Sequence, residues 1–328
     1  MSLGRLSSAT SGLLVQSARK LHFSASTATM RSVVTAATSA APELVPTPGT
    51  MKVKLALCQM ATSADKVENI AAAKSAIQEA SSSGASLVVL PEMWNCPYSN
   101  DSFPSYAEDI DAGASPSAAA LAEAARGHAV TLVGGSIPER SDGKLYNTCL
   151  VYSKEGQLLA KHRKVHLFDI DIPGGVTFKE SETLTAGQAG TVVDTDAGRL
   201  GIGICYDIRF PELAMMYTQR GAQLLVYPGA FNTTTGPAHW ELLQKARAVD
   251  NQLFVATCSP ARNPEASYQA WGHSTAVDPF GKVLATTDEK PGIVYAELDY
   301  AELEKRRTNM PLMQQKRYDL YSLLDKTL

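Results

Sequence analysis

The chain has 328 residues, 45% of them hydrophobic, and balances 30 Lys and Arg against 33 Asp and Glu for a formal net charge of -3. That length can bury a large core, the charge leaves no basic footprint for nucleic acid, and no apolar run reaches the roughly 20 residues of a membrane helix. The five cysteines, Cys58, Cys96, Cys149, Cys205 and Cys258, are odd in number and widely spaced, which argues against a disulfide framework or a zinc site and fits a reducing compartment.

Residues 1–50 differ in kind from the rest. They are rich in Ser, Ala and Thr, carry Arg5, Arg19, Lys20 and Arg31, and have no acidic residue before Glu43. This is the composition of an organelle transit peptide, chloroplast in preference to mitochondrion, followed by a flexible junction at Pro46, Pro48 and Gly49. The plainer alternative is a disordered tail on a cytosolic protein. Regular periodicity then runs from residue 51 to 328 without a linker, which predicts one domain.

The spacing predicts a strand over 53–60, a helix over 65–83 capped by Ser63 or Asp65 and stopped by Gly84, and a short buried strand over 87–90. That strand runs out into Pro91-Glu92. A glutamate held partly out of water has a raised pKa and can serve as a base near neutrality, although an ordinary loop carboxylate reads the same way. The following loop, with Tyr98, Phe103 and Tyr106, is long and aromatic, as pocket walls often are. A helix over 115–128 and a strand over 130–136 come next, then a hairpin of 147–153 and 158–163.

The hairpin leads into Lys161-His162-Arg163-Lys164-Val165-His166. Such a cluster is usually a solvated face, but one lysine turned inward could hold the negative charge that develops on a carbonyl oxygen. The loop over 172–182 brings Glu180, a second candidate pocket carboxylate. A hairpin turning at Asp196-Ala197-Gly198 feeds the run Leu200-Gly201-Ile202-Gly203-Ile204-Cys205, where a strand delivers a thiol to a strand-to-helix corner. Free cysteines are more often small buried hydrophobes than nucleophiles, so the corner alone does not decide.

Beyond it the pattern predicts helices over 212–220 and 239–251, strands over 223–227 and 254–259, a turn at Pro279-Phe280-Gly281, a last strand over 293–298 and a charged helix over 300–307. Helices alternating with buried strands give an α/β class with sheets covered by helices on one side. Two packed sheets and one large mixed sheet fit this pattern equally.

Glu92, Lys164 and Cys205 thus stand at the exits of three buried runs. In the contexts Pro91-Glu92, His162-Arg163-Lys164 and Cys205-Tyr206-Asp207-Ile208-Arg209-Phe210-Pro211-Glu212 the trio resembles the nitrilase superfamily of carbon–nitrogen hydrolases, across nearly the whole chain after Met51. Lys164 to Asp171, Thr177 to Ser181, Thr234 to Leu243, Arg247 to Gln252 and Trp271 to Ser274 look most like its omega-amidase branch.

The resemblance implies a four-layer αββα sandwich, usually dimerised through its helices and needing no metal or cofactor. It also implies hydrolysis of the terminal amide of 2-oxoglutaramate or 2-oxosuccinamate. Cys205 would be the nucleophile, Glu92 the proton carrier, Lys164 and the Tyr206 N–H the oxyanion donors, and Glu180 the orienting carboxylate. For the carboxylate of such an oxo-acid amide Arg209, Arg247 and Arg262 are available, and Tyr98, Phe231 and Trp240 are candidate pocket walls. Rival readings are a relative acting on deaminated glutathione, carbamoyl or nitrile substrates, a papain-like hydrolase pairing Cys205 with His239 or His273, and a catalytically silent interaction module. The second leaves Glu92 and Lys164 unexplained, and the third has no chemical need for an intact trio.

Overall fold

In the first strand, β1 (Lys52–Gln59), residues alternate between two apolar surroundings, as the pleat requires. Val53, Leu55 and Leu57 enter one buried cluster while Ala56 and Cys58 enter another. A strand buried on both faces needs a covering layer on each side, and that double demand sets the architecture. The structure is a computed structural model that describes residues 51–171 and 177–327. The expectations for residues 1–50 lie outside the described residues.

β1 is followed by helix α1 (Lys66–Ser82), β2 (Leu87–Val89), α2 (Pro116–His128), β3 (Thr131–Ser141), β4 (Lys144–Tyr152) and β5 (Leu158–Arg163). A small hairpin of β6 (Asp169–Asp171) and β7 (Thr177–Lys179) precedes β8 (Thr191–Thr195), β9 (Gly198–Ile202), α3 (Pro211–Gln219), β10 (Leu224–Pro228) and α4 (Thr235–Asn251). β11 (Phe254–Cys258), β12 (Thr275–Val277), β13 (Val283–Thr286), β14 (Gly292–Asp299) and α5 (Tyr300–Asn309) follow, and two short helical turns, Phe103–Tyr106 and Leu312–Gln315, lie outside these layers.

The strands form two six-stranded sheets, β14-β1-β2-β3-β4-β5 and β13-β12-β11-β10-β9-β8. Between them Val53, Leu55, Leu57, Leu87, Val89 and Val133 of the first sheet join Leu200, Ile202, Leu224 and Val226 of the second in one apolar cluster. On the outer face of the first sheet, Ala56, Val88, Leu132 and Leu150 meet Ala73 and Ile77 of α1 and Leu121 and Ala125 of α2. The second sheet carries α3 and α4 on its other side, through Ala214, Tyr217, Trp240 and Ala248. The layers are therefore helix, sheet, sheet, helix, which resolves the choice the pattern left open.

Local chemistry explains the element ends. Asp65 accepts from the N–H groups of Val67 and Glu68 and starts α1, and Ser115 caps α2 by accepting from the Ala118 N–H. α4 begins four residues earlier than its periodicity suggests, because the Asn232 Oδ1 accepts from Thr234 N (3.1 Å) and Thr235 N (2.8 Å) and Pro237 tolerates a first turn.

Two further departures matter for the site. β3 and β4 form a long hairpin turning at Asp142-Gly143, both at positive φ, so that β3 runs on to Ser141 beyond the expected end at 136 and β4 begins at Lys144, ahead of the expected start at 147. The strand expected to end in Cys205 stops at Ile202, and Cys205 instead opens a 3-10 turn, Cys205–Arg209. Among the described residues no helix is long and apolar enough to cross a membrane.

Candidate active site

β2 ends against a bulge in β3, where Gly134 and Gly135 together oppose one position of β4. Gly135 has φ 64°, and a Cβ there would lie 2.2 Å from the Pro91 carbonyl oxygen, so no side chain fits. The bulge holds the chain leaving β2: Ser136 N donates to Pro91 O (3.1 Å), and the Trp94 Nε1 donates to Gly134 O (2.7 Å). Glu92 is thereby turned inward and fully buried.

Its Oε1 accepts from Lys164 Nζ (3.0 Å) and Asn147 Nδ2 (2.9 Å), and its Oε2 from Ala230 N (2.8 Å). Lys164 leaves β5 with its own N–H donated to Asn147 O (2.8 Å). Its ammonium also donates to Glu180 Oε1 (2.9 Å), while Glu180 accepts from Tyr98 OH (2.9 Å) and Phe168 N (2.7 Å). Glu92, Lys164 and Glu180 are all excluded from solvent. Burial pushes Glu92 above the usual carboxylate range, the nearby Glu180 adds to that, and Lys164 opposes it. Burial disfavours the Lys164 ammonium, but the two carboxylates outweigh it and hold the charge in place.

Cys205 sits at φ 46°, a strained conformation for a residue with a Cβ. Gly229 makes room for it: a Cβ there would lie 3.1 Å from the Cys205 Cα. The Ala230 N–H that reaches Glu92 Oε2 also points at the Cys205 Sγ, 3.4 Å away. Burial and then the charge of Glu92 push the thiol well above its ordinary range, against Lys164 and that N–H. A protonated thiol beside a carboxylate of raised basicity is suited to base-assisted attack, with the proton moving as the new bond forms. Tyr206 follows in the first turn, where backbone N–H groups have no acceptor within their own helix.

The thiol turn and the lysine segment are tied together by Asp207. Its carboxylate accepts from Ile204 N (2.9 Å) and His166 N (3.0 Å) and lies 2.8 Å from His166 Nδ1 and 3.3 Å from His162 Nε2. On a helix the spacing of His162 and His166 would read as a metal pair, but here the two imidazoles flank Lys164 on an extended segment and share a carboxylate.

The structure brings Glu92, Lys164, Cys205 and Glu180 together as expected, with Tyr98 and Phe231 beside them and Arg209 at the thiol pocket. Three expected substrate contacts are placed elsewhere. Arg247 donates to the Ile208 and Arg209 carbonyls (2.9 and 3.0 Å) and so braces the 3-10 turn from behind. Trp240 is buried in the core with its Nε1 on His273 O (2.7 Å). Arg262 likewise serves the Ala270 and Trp271 carbonyls. Sequence reasoning missed Asn147, Ala230, Asp207 and Tyr268. Asn147 and Asp207, polar residues inside otherwise buried runs, left a faint signal, and the other two left none.

Two cavities meet at the site. A pocket of about 10 Å³ is lined by Cys205, Tyr206, Arg209, Phe168, Phe231 and Tyr268, and one of about 300 Å³ reaches Glu92 past Tyr98, Ser99, Ser267 and Tyr268.

The family model of carbon-nitrogen hydrolases matches residues 54–308, a span that holds every one of these polar groups. Over 283 residues the chain is 64% identical to the chloroplastic omega-amidase of Arabidopsis thaliana, covering 86% of this chain and 77% of that protein. It is 55% identical to omega-amidase NIT2 of Homo sapiens, covering 82% of this chain and 97% of that one. Its structure resembles that of Saccharomyces cerevisiae Nit3, a member of branch 10 of the nitrilase superfamily, with a TM-score of 0.77, 45% identity and coverage of 83% of this chain and 100% of that chain. The match of sequence, of fold and of a buried Glu-Lys-Cys constellation places this chain in the carbon–nitrogen hydrolase family.

Proposed function

We propose that the protein is an omega-amidase, hydrolysing the terminal amide of 2-oxoglutaramate or 2-oxosuccinamate to the 2-oxo dicarboxylate and ammonia. The observation that carries this reading is the single Ala230 N–H pointing at both Glu92 Oε2 and Cys205 Sγ, with Lys164 on the other Glu92 oxygen. Base, nucleophile and cation are held in register before any substrate arrives, so little rearrangement is left for the reaction.

Glu92 takes the thiol proton as the sulfur attacks the amide carbon. The negative charge that forms on the carbonyl oxygen is held by the Lys164 ammonium and the Tyr206 N–H. Collapse breaks the carbon–nitrogen bond, the nitrogen takes the proton from Glu92, and ammonia leaves a thioester on Cys205. Glu92 then takes a proton from water, the hydroxyl oxygen adds to the thioester carbon, and the second collapse breaks the carbon–sulfur bond and returns the proton to sulfur. Glu180 touches Lys164 and aims it, while Asn147 and the Ala230 N–H fix Glu92. Losing one such oxyanion donor costs about 10²–10³ in kcat.

For the substrate carboxylate we assign Arg209. It lines the thiol pocket, stacks over Phe231 with its guanidinium carbon 4.6 Å from the ring centre, and forms no ion pair among the described residues. The composition of residues 1–50 and the chloroplastic relative support import into a plastid, and the resemblance supports a homodimer.

The test is ammonia release from 2-oxoglutaramate, from a carbamoyl compound, from a nitrile and from deaminated glutathione, with Cys205→Ala as the blank. Preferential turnover of the oxo-acid amide that vanishes in the blank is expected, together with a trapped acyl mass on the Cys205 peptide. Preference for another compound would move the specificity while keeping the chemistry. No turnover of any would overturn the reading.

A further inference from the structure

We infer that Tyr268 is the partition between the thiol and the outer cavity, and that its displacement is what admits the amide to Cys205. The pocket on the thiol measures about 10 Å³, and roughly 10–15 Å³ of such space is what one water molecule needs. No oxo-acid amide fits there. The neighbouring cavity, of about 300 Å³, is of the size small-molecule sites begin at, and it reaches Glu92 without reaching the thiol. Some side chain between the two must move before the sulfur can meet a substrate.

Ala230 and Tyr268 are the residues that line both spaces. Ala230 is buried backbone between β10 and α4, and its N–H is committed to Glu92 and Cys205. Tyr268 is half-buried, on an irregular stretch between β11 and β12 that belongs to no helix or strand. Its ring stacks on Tyr98 at 4.4 Å between centres and meets Phe178 at 5.8 Å, and its hydroxyl donates to Ala230 O at 2.5 Å. Among the described residues, that hydrogen bond, the stacked Tyr98 ring and the tilted Phe178 ring hold the partition shut. Of the other rings of the thiol pocket, Phe168 and Phe231 are almost wholly buried, and the half-buried Tyr206 does not line the outer cavity.

With the Tyr268 ring withdrawn, the two spaces become one chamber running from the hydroxyl-lined outer wall to Arg209. That chamber suits a linear amide with one anionic end. The latch is also placed to report on the site, since it closes on the residue that aligns base and nucleophile. This deepens the amidase reading by naming the residue that controls access, and it rests on that reading for the substrate only.

The test uses the full chain and two reagents with the same reactive carbon and leaving group, iodoacetamide and its N-phenyl derivative. Rates at Cys205 are followed by peptide mass, which separates it from the four other buried cysteines. The ratio of the two rates cancels any change in thiol ionisation. Wild type should favour the small reagent strongly, and Tyr268→Ala should raise the bulky reagent's relative rate by about 10- to 1,000-fold, the range set by a minor open state. Tyr268→Phe keeps the ring and loses the latch. It should speed both reagents by about 2- to 10-fold, with the pH dependence of alkylation unchanged. A ratio unmoved in Tyr268→Ala overturns the inference. Where that variant does not fold, rates unmoved in Tyr268→Phe overturn it. Alkylation needs no turnover, so a chain inactive on every amide would still pass or fail this test by itself.

Discussion

A carboxylate taken out of water gives up its proton less readily, and Glu92 is taken out completely. To accept the thiol proton it must be ionised, so kcat/KM for an oxo-acid amide should rise with pH along an acid limb. Because burial raises the Glu92 pKa, the midpoint of that limb should lie above the ordinary carboxylate value of 4.5. A pH–rate profile with its acid limb at or below that value would remove Glu92 from the role of base. Asp207 shows the opposite sign. Burial raises its pKa, but hydrogen bonds from His162, His166 and the Ile204 N–H overcome this and hold it well below the usual range. A folded pKa below the unfolded one contributes stability that is fully present above about pH 4 and is lost as pH falls through the lower folded value. Asp207→Asn should therefore cost about 2–4 kcal/mol at pH 7 in urea unfolding, and the gap from wild type should narrow below pH 4. At this scale the chemistry was legible where a polar residue ends a buried run, as Glu92, Lys164 and Cys205 do. It was illegible for Arg247, whose side chain reaches two backbone carbonyls that only the folded turn brings near it.

Single elements aim these residues, and the bulge in β3 is the clearest case. Gly135 combines a positive φ with a backbone approach of 2.2 Å to the position a Cβ would take, and the same position would meet the Trp94 ring at 2.7 Å. Gly135→Ala should lower stability by about 2–4 kcal/mol, through conformational strain and overpacking together. Because the displaced atom is the Pro91 oxygen, one residue before Glu92, kcat should fall more than KM rises. Thermal unfolding alongside steady-state kinetics checks both. A variant with normal kcat and only a lower Tm would confine the bulge to a folding role. The double glycine was visible in the sequence, but the strand containing it was predicted to end at 136. Its continuation carries Pro138, Glu139 and Arg140, which interrupt the apolar run. In the structure Glu139 is fully buried and accepts from Thr148 Oγ1 (2.6 Å), Lys161 Nζ (2.8 Å) and Arg163 Nε (2.7 Å). An inward position held by cross-strand charge has no apolar alternation to betray it.

On the scale of the whole molecule the site is a property of the seam between sheets. Glu92 and Lys164 leave the first sheet, Cys205 and Ala230 leave the second, and the Cys258 thiol of β11 donates to the Val89 and Cys58 carbonyls across the gap (3.3 and 3.4 Å). The sequence could not choose between one sheet and two, because a strand buried against helices and a strand buried against another sheet both read as continuous apolar runs. The outer helix layer leaves a different mark. α4 exposes Leu242 and Val249, seven residues apart on one face, to 61% and 46%, and Phe280 is exposed to 58% with its neighbour Gly281 lying against Val249. Apolar side chains aligned in this way favour a second copy, and two-fold symmetry uses each of them twice. Covering a large aliphatic side chain is worth about 1.5–3 kcal/mol, so replacing both residues in both protomers should raise the dimer Kd by far more than a hundredfold. Wild type is therefore expected to sediment as a dimer and Leu242→Lys combined with Val249→Lys as a monomer, with little change in monomer stability because both side chains face solvent. A double variant that still sediments with the wild type would remove this face of α4 from any such interface.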